Sequence, residues 1–281
     1  MLRASHSPGE SLKVEIAVAK APKYAVLESG DSVEVTERPF GGLSLVMADG
    51  QRSGRSAKAI SNITVRKAIS LLAEGVRDGA AARAAHDYLR TQRGGQVSAE
   101  LTIISVDLET RTLVISRNSR CPVLLAQFLG GVETTSERDG DFAWRVLDEP
   151  AEPVGVRARA RPVITELPLA AGQMLVAFTD GLMLAGARQG SQLDPMAEVT
   201  RLSCCAAPEA GAGPTGRAGD TGSSTCTAQQ LADGLLDCAL SMDDGRPGDD
   251  VTVVVVQVLP WGTADGPEIR RMTVSFPVSP V

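Results

Sequence analysis

"VMADGQRSGRSAKAI", residues 46–60, runs an apolar strand into Asp49-Gly50 and then, across a short polar turn, into a helix. An acid at the end of a buried strand needs a reason, and Asp49 is not alone in this setting. Asp180 follows "MLVAFT" (174–179) in "FTDGL", again an acid and a glycine closing an apolar run. Asp249 and Asp250 stand immediately before "VTVVVVQV" (251–258), and Asp31 opens the strand-like end of "ESGDSVEV". In an antiparallel sheet the end of one strand lies beside the beginning of its neighbour, so these acids converge on one edge.

The rest of the chain supplies such sheets. "VEIAVAKA" (14–21), "LSLVMA" (43–48), "AELTIISVDL" (99–108), "RTLVISRN" (111–118), "PVLLAQF" (122–128) and "VITELPL" (163–169) are short, rich in branched apolar residues and bounded by turn signals. Many lie only a few residues apart, as in "DLETRTL", which predicts antiparallel hairpins rather than a doubly wound parallel sheet. Helical spacing covers "SAKAISNITVRKAISLLAEG" (56–75), "DGAAARAAHDYLRTQ" (78–92, with Asp78 as its cap) and "TAQQLADGLLDCALSM" (227–242). Ser53 and Ser56 read most simply as caps of the first of these. Helices grouped between runs of strands indicate an α+β fold in which sheets pack face to face with helices outside.

We expect a flexible N-terminus (1–12) and one domain over 13–259. Residues 204–227, "CCAAPEAGAGPTGRAGDTGSSTCT", have almost nothing to bury and read as a mobile surface insertion. A C-terminal extension (260–281) ends in "RRMTVSFPV" (270–278), whose alternation predicts one more strand.

Composition narrows the function. The 281 residues are 43% hydrophobic, enough for a sizeable core, and 34 acids against 28 bases give a net charge of -6 without a basic block. Nucleic acid is not an expected partner, and no apolar run approaches the ~20 residues of a membrane helix. With no apolar signal-peptide centre near the start, a cytoplasmic location is expected. Five cysteines, odd in number and without Cys-x-x-Cys, point to neither a disulfide framework nor a zinc site.

Gathered carboxylates raise one another's pKa unless a cation lies between them. Oxygen-only ligation suits Mg²⁺ or Mn²⁺, and two such ions ~3.5–4 Å apart activate water and neutralise phosphoryl oxygens. Phosphate-ester hydrolysis is the chemistry this supports, since His6 and His86 alone leave little material for histidine-based mechanisms. Against it stands the ordinary reading of each piece: Asp-Gly is a common turn dipeptide, and "GDD" also suits a solvated loop. The conjunction of four strand-end acids favours the site.

The ordered series "SGDS", "ADGQRSG" opening a long helix, "FTDGL" and "GDDVTVVVV" resembles the PPM-type (PP2C-like) metal-dependent serine/threonine phosphatases, in particular their SpoIIE, RsbU and RsbX branch. The resemblance covers about Val14 to Val258. It implies a four-layer αββα sandwich of two antiparallel sheets flanked by helix pairs, with two Mn²⁺ or Mg²⁺ ions at one end. Carried over, Asp49 becomes the bridging ligand and Gly50 a ligand through its carbonyl. Asp180 and Asp249 hold one metal, Asp31 binds near the other, and Asp250 stands just behind. A metal-activated water then hydrolyses phosphoserine or phosphothreonine, on a regulatory protein of STAS-domain or stressosome type. Gln51 stands where many relatives have a histidine, and the family's N-terminal phosphate-binding arginine has no clear match. Arg52, Arg55 and Lys58 are the candidates for substrate contact, although three bases at a helix start also suit a solvated face. The alternative is a pseudophosphatase that binds a phosphoprotein without turning it over.

Overall fold

Along residues 11–128, 142–204, 226–261 and 270–275, which this computed structural model describes, the apolar runs become ten strands and five helices. In chain order they are β1 (Ser11–Ala21), β2 (Asp31–Glu37), β3 (Leu43–Gly50), α1 (Gly54–Ala73), α2 (Asp78–Gln92), β4 (Ala99–Asp107), β5 (Thr112–Asn118) and β6 (Val123–Phe128). Then follow β7 (Phe142–Leu147), β8 (Val163–Pro168), β9 (Gln173–Phe178), α3 (Asp180–Leu184), α4 (Pro195–Cys204), α5 (Ala228–Met242) and β10 (Val251–Trp261). The strands form two antiparallel sheets, ordered β1-β10-β9-β6-β7 and β2-β3-β4-β5-β8.

Alternation along each central strand divides its side chains between two cores. Leu45 and Met47 of β3 join Ile104, Ile115, Leu175, Val254 and Val256 between the sheets. Their neighbours Val46 and Ala48 face outward onto α1 and α2, where Ile60, Val65, Leu72, Ala85 and Leu89 cover them. On the other outer face, Val253 and Val255 of β10 pack with Leu231 and Leu235 of α5. Because both faces are covered, "LSLVMA" and "VTVVVVQV" read as nearly continuous apolar runs. The result is the four-layer αββα arrangement expected. The α5 helix starts with a capping box, Thr227 Oγ1 accepting from Gln230 N–H and Gln230 Oε1 from Thr227 N–H, a device contributing about 1 kcal/mol.

Several local expectations need correction. β6 does not fold back on β5 but crosses to the other sheet. The crossing is fixed by Arg117, whose buried guanidinium donates to the carbonyls of Ser119, Cys121 and Glu149. Asp78 does not cap α2; its carboxylate is buried and accepts from Arg38 Nη1 at 2.9 Å and from Ser105 Oγ. Ser53 occupies the N-cap of α1 without a side-chain cap bond, and Ser56 lies within the helix, exposed. Residues 11 and 12, assigned to the N-terminal tail, already pair in β1.

Residues 270–275 form no strand: all are exposed, and alternation without a surface to bury against cannot hold one. Residues 276–278 of that expected strand, residues 1–10, and 205–225 of the expected insertion lie outside the described residues. Among the described residues no helix is long and apolar enough to cross a membrane.

Candidate metal centre

Strand register assembles the acids. Asp31 lies opposite Asp49 across β2 and β3, and Asp49 lies opposite Glu100 across β3 and β4. Directly opposite residues share a face, so one row at the end of this sheet carries three acids. On β3 it is the face that points Leu45 and Met47 at the opposing sheet.

The opposing sheet reaches the same place through two threonines. Thr179, just after β9, and Thr252 in β10 donate their hydroxyls to Asp31 Oδ2 at 3.0 and 2.6 Å. This cross-sheet junction sets Asp180, next to Thr179, and Asp249, three residues before Thr252, beside Asp31 and Asp49. Asp250 is buried and accepts from the backbone N–H groups of Lys23 and Gly30 at 3.0 and 2.9 Å. Its carboxylate thereby latches the 22–30 loop that delivers Asp31. A cavity of about 10 Å³, the room of a single water, lies among Asp49, Glu100, Thr102 and Thr179. A hollow of about 410 Å³ beside Glu109, Arg111 and Glu166 contains none of these acids.

The two Asp-Gly pairs are not turns: Asp49-Gly50 closes β3 and Asp180-Gly181 opens α3, and neither glycine has a positive φ. They answer to close approach instead. A Cβ on Gly50 would run into the Ala57 carbonyl of α1, and one on Gly181 into the Asp250 carbonyl. Only glycine lets helix and strand backbones pass so near.

Burial, followed by Asp31, Asp180, Glu100 and Asp249 in that order, pushes Asp49 up from 3.8 to about 9. Burial and then Asp249 lift Asp180 to about 6, with Arg120 opposing the rise. Burial also raises Asp31, against the hydrogen bond from Thr252. Asp31 Oδ1 is buried with no hydrogen-bond partner. Among the described residues no three His, Cys, Asp or Glu side chains already surround one point as ligands. The acids share a field and an orphaned oxygen, not a closed cage. An all-oxygen, net-negative set of this kind fits a hard divalent cation, which would relieve the repulsion and engage Asp31 Oδ1.

Among the bases named from sequence, Lys58 is committed elsewhere, donating Nζ to the Asp31 carbonyl at 2.6 Å and to Ser32 Oγ. Lys20 Nζ donates to the same carbonyl at 2.7 Å, and burial followed by Lys58 lowers it to about 8 although its side chain is partly open to solvent. Arg52, at φ 77, and Arg55 are exposed on the rim. Gln51 is tied to Ser98, donating its N–H to the Ser98 carbonyl and accepting the Ser98 N–H on Oε1.

Sequence reading missed Glu100, Arg120, Thr179 and Thr252. The threonines carried a signal, since each adjoins a strand-end acid in "FTDG" and "DDVT". Glu100, inside "AELTIISVDL", was hidden because only register places it against Asp49.

The profile of the family described as Stage II sporulation protein E (SpoIIE) matches residues 39–259. Among solved structures, the chain is similar to the PP2C phosphatase domain plus a regulatory fragment of the Bacillus subtilis cell-fate determinant SpoIIE. There the identity is 19% and the TM-score 0.67, covering 90% of this chain and 65% of that one. It is also similar to the RsbU and RsbW domains of a Mycobacterium tuberculosis protein (18%, TM-score 0.62, 89% and 61%). A third likeness is to the catalytic domain of the phosphatase PstP in complex with two manganese ions (18%, TM-score 0.56, 89% and 100%). The chain therefore spans less than two thirds of the first two. No curated protein matches it significantly.

Proposed function

The chain belongs to the SpoIIE family and carries the PP2C-type phosphatase fold, and from that premise we propose that it is a metal-dependent protein serine/threonine phosphatase. One observation carries the reading: acids from both sheets, Asp31, Asp49, Asp180 and Asp249, meet where Asp31 Oδ1 is buried without a partner. Asp49, the Gly50 carbonyl, Asp180 and Asp249 would hold two Mn²⁺ or Mg²⁺ ions, with Asp31 reaching the second directly or through water. Such ions, when bound, supply an ionisable water nucleophile at neutral pH and neutralise charge on the phosphoryl group. PstP's two manganese ions support the choice of metal.

The chain's own residues set the geometry. Thr179 and Thr252 hold Asp31 Oδ2 and leave Oδ1 buried without a partner. Asp250 fixes the loop behind Asp31 without spending its carboxylate on the site. Gln51, tied to Ser98, has no proton to give a leaving group, so protonation of the departing serine oxygen falls to solvent at the site.

Similarity to RsbU and RsbW domains supports a regulatory protein as partner, and we propose a phosphorylated one of the STAS-domain kind as the substrate. Phosphate release from a phosphoserine peptide and from a phosphorylated STAS-type protein, with and without Mn²⁺, tests the reading. Release that needs the metal and disappears in Asp49→Ala is expected. A wild type that binds the phosphoprotein but frees no phosphate from either would make it a pseudophosphatase.

A further inference from the structure

Metal ions can neutralise a phosphate dianion, but a fixed, forked cationic side chain adds orientation, and the bases named from sequence do not provide one. Lys58 is spent on Asp31 and Ser32, while Arg52 and Arg55 make no hydrogen bond among the described residues. Arg120, between β5 and β6, is different. Its Nε donates to Glu100 Oε1 at 2.6 Å, and its backbone N–H donates to Glu100 Oε2 at 3.0 Å. Ser119 Oγ donates to the same Oε2 at 2.6 Å. From below, the buried Arg117 holds the Ser119 and Cys121 carbonyls on either side.

Resting on the phosphatase reading, we infer that Arg120 is the phosphate-binding side chain of this site and Glu100 the residue that positions it. Glu100 stands opposite Asp49 in the sheet, so the pair brings the guanidinium to the acids' row. The Arg120 side chain is 74% exposed, and an ion pair so open contributes little to stability. What the three donors onto Glu100 accomplish is orientation. With Nε engaged, neither Nη makes a hydrogen bond among the described residues, and a planar fork with donors to spare takes two phosphoryl oxygens at once. The ligand class is a phosphate monoester dianion, of which inorganic phosphate is the simplest probe.

The test uses the Mn²⁺-loaded full chain. Binding of inorganic phosphate is measured by calorimetry and as competitive inhibition, beside KM and kcat for a phosphoserine peptide. Arg120→Ala should weaken phosphate and raise KM about tenfold, the scale of one charge-assisted contact, with a smaller fall in kcat. Arg120→Lys should recover part of the loss, and Glu100→Gln should fall between. The Mn²⁺ concentration that half-saturates the thermal upshift should stay at its wild-type value in the Arg120 variants. An unchanged phosphate constant in Arg120→Ala overturns the inference, as does a loss explained by a shifted Mn²⁺ midpoint. A wild type that binds phosphate through Arg120 yet releases none from any substrate would sink the phosphatase reading and leave this one standing.

Discussion

Asp49-Gly50 and Asp180-Gly181 are the same dipeptide at the ends of two strands in two different sheets, and they solve the same steric problem. Each glycine lets a neighbouring backbone carbonyl, of Ala57 in one case and Asp250 in the other, come too close for a Cβ. The carboxylates, however, live in unlike fields. Asp49 is flanked in register by Asp31 and Glu100, and it rises to about 9. Asp180 opens α3 outside the strand ladder, has Arg120 opposing its rise, and reaches about 6. Steric need is thus shared between the halves of the site, whereas electrostatic strain is concentrated on one sheet, where a cation relieves most.

The widest separation between the two should come from removing charge. Asp49→Asn is expected to lower Mn²⁺-dependent turnover about a thousandfold, ~4 kcal/mol of transition-state stabilisation, and to abolish the Mn²⁺-induced rise in melting temperature. Asp180→Asn and Asp249→Asn should each cost more than about tenfold and weaken, without abolishing, that rise. Steady-state kinetics with thermal melts decides; equal losses at Asp49 and Asp180 would erase the asymmetry.

Stability should show the opposite, a likeness. Gly50→Ala and Gly181→Ala each force a backbone apart and should each cost about 1–3 kcal/mol in urea unfolding. A neutral Gly181→Ala would mean that α3 can shift away from Asp250.

Proton linkage offers a third way to tell the halves apart. Folded Asp49 and Asp180 sit at about 9 and about 6 against an ordinary 3.8, so across that range the folded, metal-free chain holds more protons than the unfolded one. Stability without metal must then fall as pH rises from 3.8 towards about 9, and Mn²⁺ should flatten the fall. Asp49→Asn removes the group responsible for the upper part of that window. Melts in chelator from pH 5 to 9 that show no more slope in wild type than in Asp49→Asn would refute the field described for Asp49.

These contrasts also explain what the sequence made legible. Asp31, Asp49, Asp180 and Asp249 could be found because strand ends are marked by abrupt changes from apolar to polar residues, as in "FTDGL". The layers were readable because strands covered on both faces leave nearly continuous apolar runs, and α2 was placed at 78–92 because its small-residue face keeps helical period. Partners fixed by register were not readable: Glu100 meets Asp49 from 51 positions away, as 100 minus 49, and nothing local announces it. The sheet change after β5 was hidden for a related reason, since Arg117 looks like an ordinary strand residue until its guanidinium is seen gathering three carbonyls. The edge strand β7, "FAWRVL", is apolar but does not alternate and buries only Leu147, while α3 and α4 are too short to establish a helical period.

The smallest effect is expected at Asp250, which touches both sides of the comparison. Its carbonyl is what Gly181 makes room for, and its carboxylate holds the Lys23 and Gly30 N–H groups of the loop that presents Asp31 to Asp49. Asp250→Ala would strand one buried and one part-buried donor and cost about 1–3 kcal/mol. Asp250→Asn keeps one carbonyl oxygen as acceptor, so it should cost only about 1 kcal/mol, or roughly 2–4 °C in melting temperature. Turnover in Asp250→Asn at saturating Mn²⁺ should stay within about threefold of wild type, because a shift of that size in ΔG‡ is below 1 kcal/mol. If it instead falls as far as in Asp249→Asn, with a matching loss of Mn²⁺ affinity, Asp250 itself faces the metal. The latch would then belong to the centre, and the Asp180 half would carry as much of the charge as the Asp49 half.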